Sequence, residues 1–181
     1  MRHTLIAVCA GLALCALPRP VTAGPMVGFD VMMSTVMQEN QSSFSGLGLR
    51  ARIVSLRLID GVQILPTVEY WRNRSSVPRY DIDAVRRDAT LGVDVRYLFR
   101  HEGWSPYAGA GYSLHFLMSE VSAPAFGVDE DRDTLTKGGL SAMTGINFPI
   151  TDRIENFIEL KFHNVTDYRQ LKFSWGLTFD L

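Results

Sequence analysis

Along residues 105–116, SPYAGAGYSLHF, apolar or aromatic side chains alternate with Gly109, Gly111, Ser113 and His115. This is the two-residue period of a strand with unlike faces. The same alternation predicts eight strands, over 26–36, 44–58, 62–72, 87–99, 105–117, 138–148, 154–163 and 169–180. Several exceed the roughly 5–6 residues of an average strand and fit the roughly 9–11 that cross a bilayer at a tilt.

One parity is almost free of charge. It carries Phe29, Leu49, Val68, Val93, Leu114, Leu140, Leu160 and Leu177, among many others. The opposite parity interleaves glycine with Asp30, Arg50, Arg52, Glu69, Asp94, Arg96, His115, Glu159, Lys161 and Lys172. Alternation alone does not say which parity points inward, since a soluble lipocalin-like barrel would line a ligand cavity with the apolar one. The aromatic residues favour a lipid-facing apolar surface. Phe29, Tyr97, Phe99, Phe148 and Phe179 fall at one set of strand ends and Tyr70, Phe116 and Phe162 at the other, the two girdles of a membrane interface. In a barrel this narrow, Gly109 and Gly111 are expected to make room for long Arg and Lys arms opposite.

The predicted connections alternate in length. Asp60-Gly61, HEGW (101–104) and 149–153 are short, whereas QENQSS, 73–86, 118–137 and NVTDY are generally longer or more polar. Short turns on one rim and long loops on the other describe an outer-membrane barrel, with both chain ends on the periplasmic side. The expected fold is therefore an all-β, eight-stranded antiparallel up-and-down transmembrane β-barrel.

The chain ends and the charge extend this picture. Residues 1–23, MRHTLIAVCAGLALCALPRPVTA, have the basic start, short apolar run and small-residue site of a secretory signal peptide, leaving 24–181 as the barrel domain. Cys9 and Cys15 both lie in that segment, so no disulfide is expected in the processed chain. Removing Arg2 and Arg19 with it leaves 16 basic and 19 acidic residues, a formal net charge of −3. No basic face for nucleic acid is expected.

These features resemble the small outer-membrane β-barrel domain of OmpA-type and OmpX-type proteins and of bacterial "porin family" surface proteins. The resemblance rests on the leader, the PYAGAGYSLHF segment (106–116), the eight-run rhythm and the closing LKFSWGLTFDL. It implies export to the bacterial outer membrane and insertion by the barrel-assembly machinery. It also implies contact with outer-membrane lipid and lipopolysaccharide, and a structural or surface-interaction role in which the long loops meet an extracellular ligand. Such chains usually end in an aromatic residue, whereas this one ends in Leu181.

The candidate chemistry is a polar network in the lumen: Arg50, Arg52, Glu69, Asp94, Arg96, Glu159, Lys161 and Lys172. A tight Asp60-Gly61 turn puts Glu69 opposite Arg52, and a bulge near Ile53-Val54 puts it opposite Arg50. Lys161 and Lys172 become near neighbours across the last hairpin, with Glu159 or Asp94 as counter-charges. Such a network either plugs the barrel or gates a narrow ion-conducting pore.

A lipid A-modifying enzyme is the third alternative to a surface-interaction role, beside the pore and the soluble barrel. Lipid A deacylases of this shape use a His with a Ser two residues later and a Glu on the lipid-reaching surface. Here Val165 follows His163, and Ser113 and His115 stand in the reverse order on the lumen parity, so no triad and no catalysis are expected. The acidic run Asp129, Glu130, Asp131 and Asp133 lacks calcium-loop spacing and reads as a solvated loop. His101 and His115 read as isolated, so neither a metal nor a cofactor is expected. The Asn73-Arg74-Ser75 sequon has no force in a bacterium.

Overall fold

A computed structural model describes residues 26–39, 42–54, 61–77, 82–99, 103–123 and 128–181. Among them run β1 (Met26–Gln38), β2 (Phe44–Val54), β3 (Val62–Val77), β4 (Ile82–Leu98), β5 (Ser105–Ala123), β6 (Val128–Thr151), β7 (Ile154–Val165) and β8 (Tyr168–Asp180). Each strand pairs antiparallel with its sequence neighbours, and β8 closes on β1 through the register Phe29↔Phe179 to Gln38↔Gln170. The result is the expected eight-stranded up-and-down barrel. The expected signal peptide, with Cys9 and Cys15, lies outside the described residues.

The apolar parity faces outward. Leu47 is 61 % exposed and Leu140 66 %, while Arg50, Arg96, Glu159 and Lys172 are at most 2 % exposed. The barrel is thus inverted relative to a soluble ligand-binding barrel. At the expected rims Phe29 stacks on Phe179 at 5.0 Å and Tyr97 meets Phe99 edge-on at 4.9 Å. Tyr70 and Phe162 are exposed at the other strand ends, and Phe116 is half-buried there.

Two expected loops are mostly strand. Within 73–86 and 118–137, β3 runs on to Val77, β4 begins at Ile82, β5 runs on to Ala123 and β6 begins at Val128. The cause is environmental: beyond the apolar belt both faces of a strand are polar, and polar residues on both parities look like a loop in sequence. Above the barrel these four strands continue as a sheet. β3 pairs with β2 no further than Trp71, and β6 pairs with β7 only from Gly139 onward.

The β2–β3 register also differs from the expected one. Asp60 lies outside the described residues, and Gly61 sits at φ +90° in the left-handed region that glycine tolerates. Ile53 pairs with Ile64, so Glu69 lies opposite Gly48 instead of Arg50 or Arg52. The pairs Ile53↔Ile64 and Val54↔Gln63 are offset by four residues from the register that a two-residue Asp60-Gly61 turn would impose.

Candidate functional site: the charged lumen

Within the closed barrel every second residue of each strand points into the lumen, and this pleat delivers all eight expected residues there. In the middle of the lumen Arg50 of β2 makes a two-pronged pair with Glu159 of β7, at 2.7 and 3.1 Å. Tyr107 donates its hydroxyl to the same carboxylate at 2.9 Å. The Arg50 guanidinium also lies over the Phe157 ring, 5.2 Å from its centroid. Glu159 is thereby committed to Arg50 and does not serve the lysine pair.

Lys161 and Lys172 face each other directly across β7 and β8. Lys161 donates to Asp94 at 2.6 Å, and Lys172 donates to Glu69 at 2.5 Å. Glu69 also lies 3.9 Å from Lys161, and Ser141 and Thr67 donate to Asp94 at 3.2 and 3.3 Å. Alternating charge keeps two buried ammonium groups adjacent, which would be costly without the carboxylates.

Toward the end where the chain termini lie, three guanidinium groups surround Asp30. Arg50, Arg52 and Arg96 approach it at 3.8, 3.7 and 4.0 Å, and Thr178 donates to it at 2.8 Å. Arg52 also pairs with Asp180 and, at 3.6 Å, with Glu155. Arg96 lies 4.5 Å from the centroid of the Tyr107 ring and donates from Nε to Gln63 at 2.9 Å. Gly109 lies opposite Arg96, whose Cα and Cβ would be 2.9 Å from an added Cβ. Gly111 differs from the expectation: it makes room for the Asp94 carboxylate, not for a basic arm.

At the other end the lumen holds a group that the sequence reading missed. Ser113 Oγ lies 3.0 Å from His115 Nε2, and His115 Nδ1 lies 2.7 Å from Asp88 Oδ2. Thr90 donates to the second Asp88 oxygen at 3.1 Å. His115 is not isolated, since its ring lies 5.5 Å from that of His163. The connectivity is that of a hydrolytic triad, contrary to the expectation of none, because the i, i+2 spacing of Ser113 and His115 puts both on one strand face.

Position separates this relay from a working nucleophile. Ser113 is 3 % exposed, and His115 and Asp88 are fully buried. Above them Val36, Phe44 and Trp71 form an apolar plug that Leu117 covers, with Phe44 and Trp71 4.3 Å apart. A reacting group needs about 3 Å access to both nucleophile and oxyanion donors, which this packing denies. Asp30 and Asp88 were legible in principle, since each occupies the charged parity of its strand. His163 shares that parity with Glu159 and Lys161.

No protein-family model matches the sequence, and no curated protein matches it. Solved structures do match. The crystal structure of Neisserial surface protein A is similar at TM-score 0.61 and 15 % identity, covering 86 % of this chain and 96 % of that one. Ail, the attachment invasion locus protein of Yersinia pestis, in complex with the heparin analogue sucrose octasulfate, is similar at 0.59 and 13 %, covering 86 % and 100 %. A major outer membrane protein from Thermus thermophilus is similar at 0.63 and 10 %, covering 86 % and 99 %. At these identities the likeness is one of fold, and the fold is that of small outer-membrane barrels.

Proposed function

We propose that this chain, an eight-stranded barrel with the fold of small outer-membrane proteins, resides in a bacterial outer membrane after export and insertion by the barrel-assembly machinery. Its barrel is an anchor, and its work is done at the cell surface by the β3–β6 sheet. The observation that carries this reading is the combination of an apolar outer wall with a lumen filled by paired charges. Such a barrel is held by lipid outside and blocked inside, leaving the projecting strands as the part that can meet a partner.

A surface role is supported by the structural likeness to Ail, which was crystallised with a heparin analogue. An extracellular ligand is accordingly the partner proposed for the sheet. The lumen pairs serve as a plug, since an ion crossing it would have to break the Arg50–Glu159 and Lys172–Glu69 bonds and pass the Val36, Phe44 and Trp71 cluster. The buried Ser113–His115–Asp88 relay is a structural element of that plug.

Orientation is tested by cysteine labelling on intact cells. Cys9 and Cys15 lie in the expected signal peptide, so an introduced cysteine is labelled alone in the processed chain. Ser76→Cys, on exposed β3, should react with a membrane-impermeant maleimide on intact cells. Arg153→Cys, in the β6–β7 turn, should react only after permeabilisation. The reverse pattern would place the sheet in the periplasm and remove the surface role.

A further inference from the structure

His163 stands near the outer end of β7, which finishes at Val165. Its imidazole is fully buried, with Nδ1 3.5 Å from Ser113 Oγ and Nε2 without a hydrogen-bond partner. Gln170, directly opposite on β8, does not supply one, since its own Oε1 is also unpartnered. One lumen position below lie Lys161 on the same strand and Lys172 on β8.

The carboxylates around this ring are already committed. Glu69 of β3 accepts from Lys172 at 2.5 Å, and Asp94 of β4 accepts from Lys161 at 2.6 Å. Asp88 of β4 lies 2.7 Å from Nδ1 of His115 on β5 and accepts from Thr90. Tyr168 of β8 brings a phenol ring 6.2 Å from that of His115, and Lys137 of β6 brings another cation, paired with Asp167 at 2.8 Å. From β1 and β2 come only the apolar Val36 and Phe44. A proton on His163 would therefore add a third cation beside two ammonium groups. It would meet no uncommitted carboxylate among the described residues and leave an Nε2–H without an acceptor, a costly arrangement for a buried charge.

We propose that His163 is an acid-sensitive latch on the outer end of the lumen. It is neutral while that end is closed and takes up a proton when the end opens to water, so acidification of the external medium loosens the plug. This rests on the membrane orientation and the plug given above. Imidazole in water takes up its proton from about pH 6.5 downward. Acid thus favours the form in which His163 reaches water, and the stability that the latch contributes is present above that range and lost below it. The position suits a movable part. Phe116 and Phe162 of the outer aromatic girdle adjoin His115 and His163 in sequence, which sets the two imidazoles at the level of the outer interface. Only Asn164 and Val165 separate His163 from the Thr166–Asp167 turn, so this end can open while the Arg50–Glu159 layer below stays paired.

Trp71 supplies the reporter. Its indole Nε1–H is buried in the plug without an acceptor, so exchange with deuterium needs only that water reach it. The full processed chain in neutral-lipid nanodiscs is followed by NMR, and free indole corrects for the chemical effect of pH on exchange. Lowering the pH from about 7.5 to about 5 should raise the opening constant of the wild type about thirtyfold, the gain for one imidazole that binds its proton only in the open form. Return to the starting pH should restore protection. His163→Gln, which cannot take up the proton, should show little of that rise. An unchanged constant in the wild type, or an equal rise in His163→Gln, would overturn the proposal. A Trp71 indole that exchanges at the free-indole rate already at neutral pH would overturn the plug reading and the latch with it. If His163→Gln gives no heat-modifiable band on gels, the wild type carrying isotope-labelled histidine decides. The His163 ring of the closed form should keep a neutral-ring spectrum at both pH values, and a charged-ring spectrum with Trp71 still protected would overturn the latch.

Discussion

Glu69 holds two ammonium groups at once, Lys172 at 2.5 Å and Lys161 at 3.9 Å, inside a wall that admits little water. Glu69→Ala should therefore destabilise the barrel by about 3–5 kcal/mol, the cost of leaving a buried charge without its partner. Urea unfolding in lipid vesicles reads the loss. Combining Glu69→Ala with Lys172→Met should recover a large part of it, because the stranded charge is removed too. An equal loss in single and double variants would mean that the carboxylate acts by packing alone. The presence of these charges in the lumen was legible from parity, but their partners were not. Lys172 stands 103 residues from Glu69, and only closure of the barrel sets β8 across from β3. Local spacing pointed to Arg50 or Arg52 because it sees only the neighbouring strand.

Strands with one apolar face were legible almost to their ends, as β7 and β8 show, while the polar halves of β3 to β6 were read as loops. The two-residue period identifies a strand only where its faces meet different surroundings, and that contrast stops at the apolar belt. Turns obey backbone chemistry more locally. The β7–β8 hairpin turns at Thr166 and Asp167, with Asp167 at φ 75°, and Lys137 pairs with Asp167 at 2.8 Å. Asp167→Gly and Asp167→Val both lose that ion pair, so their difference isolates the backbone term. The Val variant should be less stable than the Gly variant by about 1–2 kcal/mol in the same unfolding experiment, since a β-branched residue resists the left-handed region. Equal stability would show that the turn relaxes out of that region.

At the scale of the whole molecule, the barrel divides into an apolar belt, a lumen closed by ion pairs and a plug, and a sheet rising from one rim. The alternating parity made the belt and the charged interior legible. The Ser113–His115–Asp88 relay was not, because triad recognition by sequence order ignores what one strand face can bring together. The central claim is that the apolar wall meets lipid, and it is tested most directly by separating the outer membrane of expressing cells and running that fraction on SDS gels with and without boiling. A band that shifts on heating marks a detergent-resistant barrel folded in that membrane, which is the predicted result. A soluble periplasmic band with unchanged mobility would contradict the account.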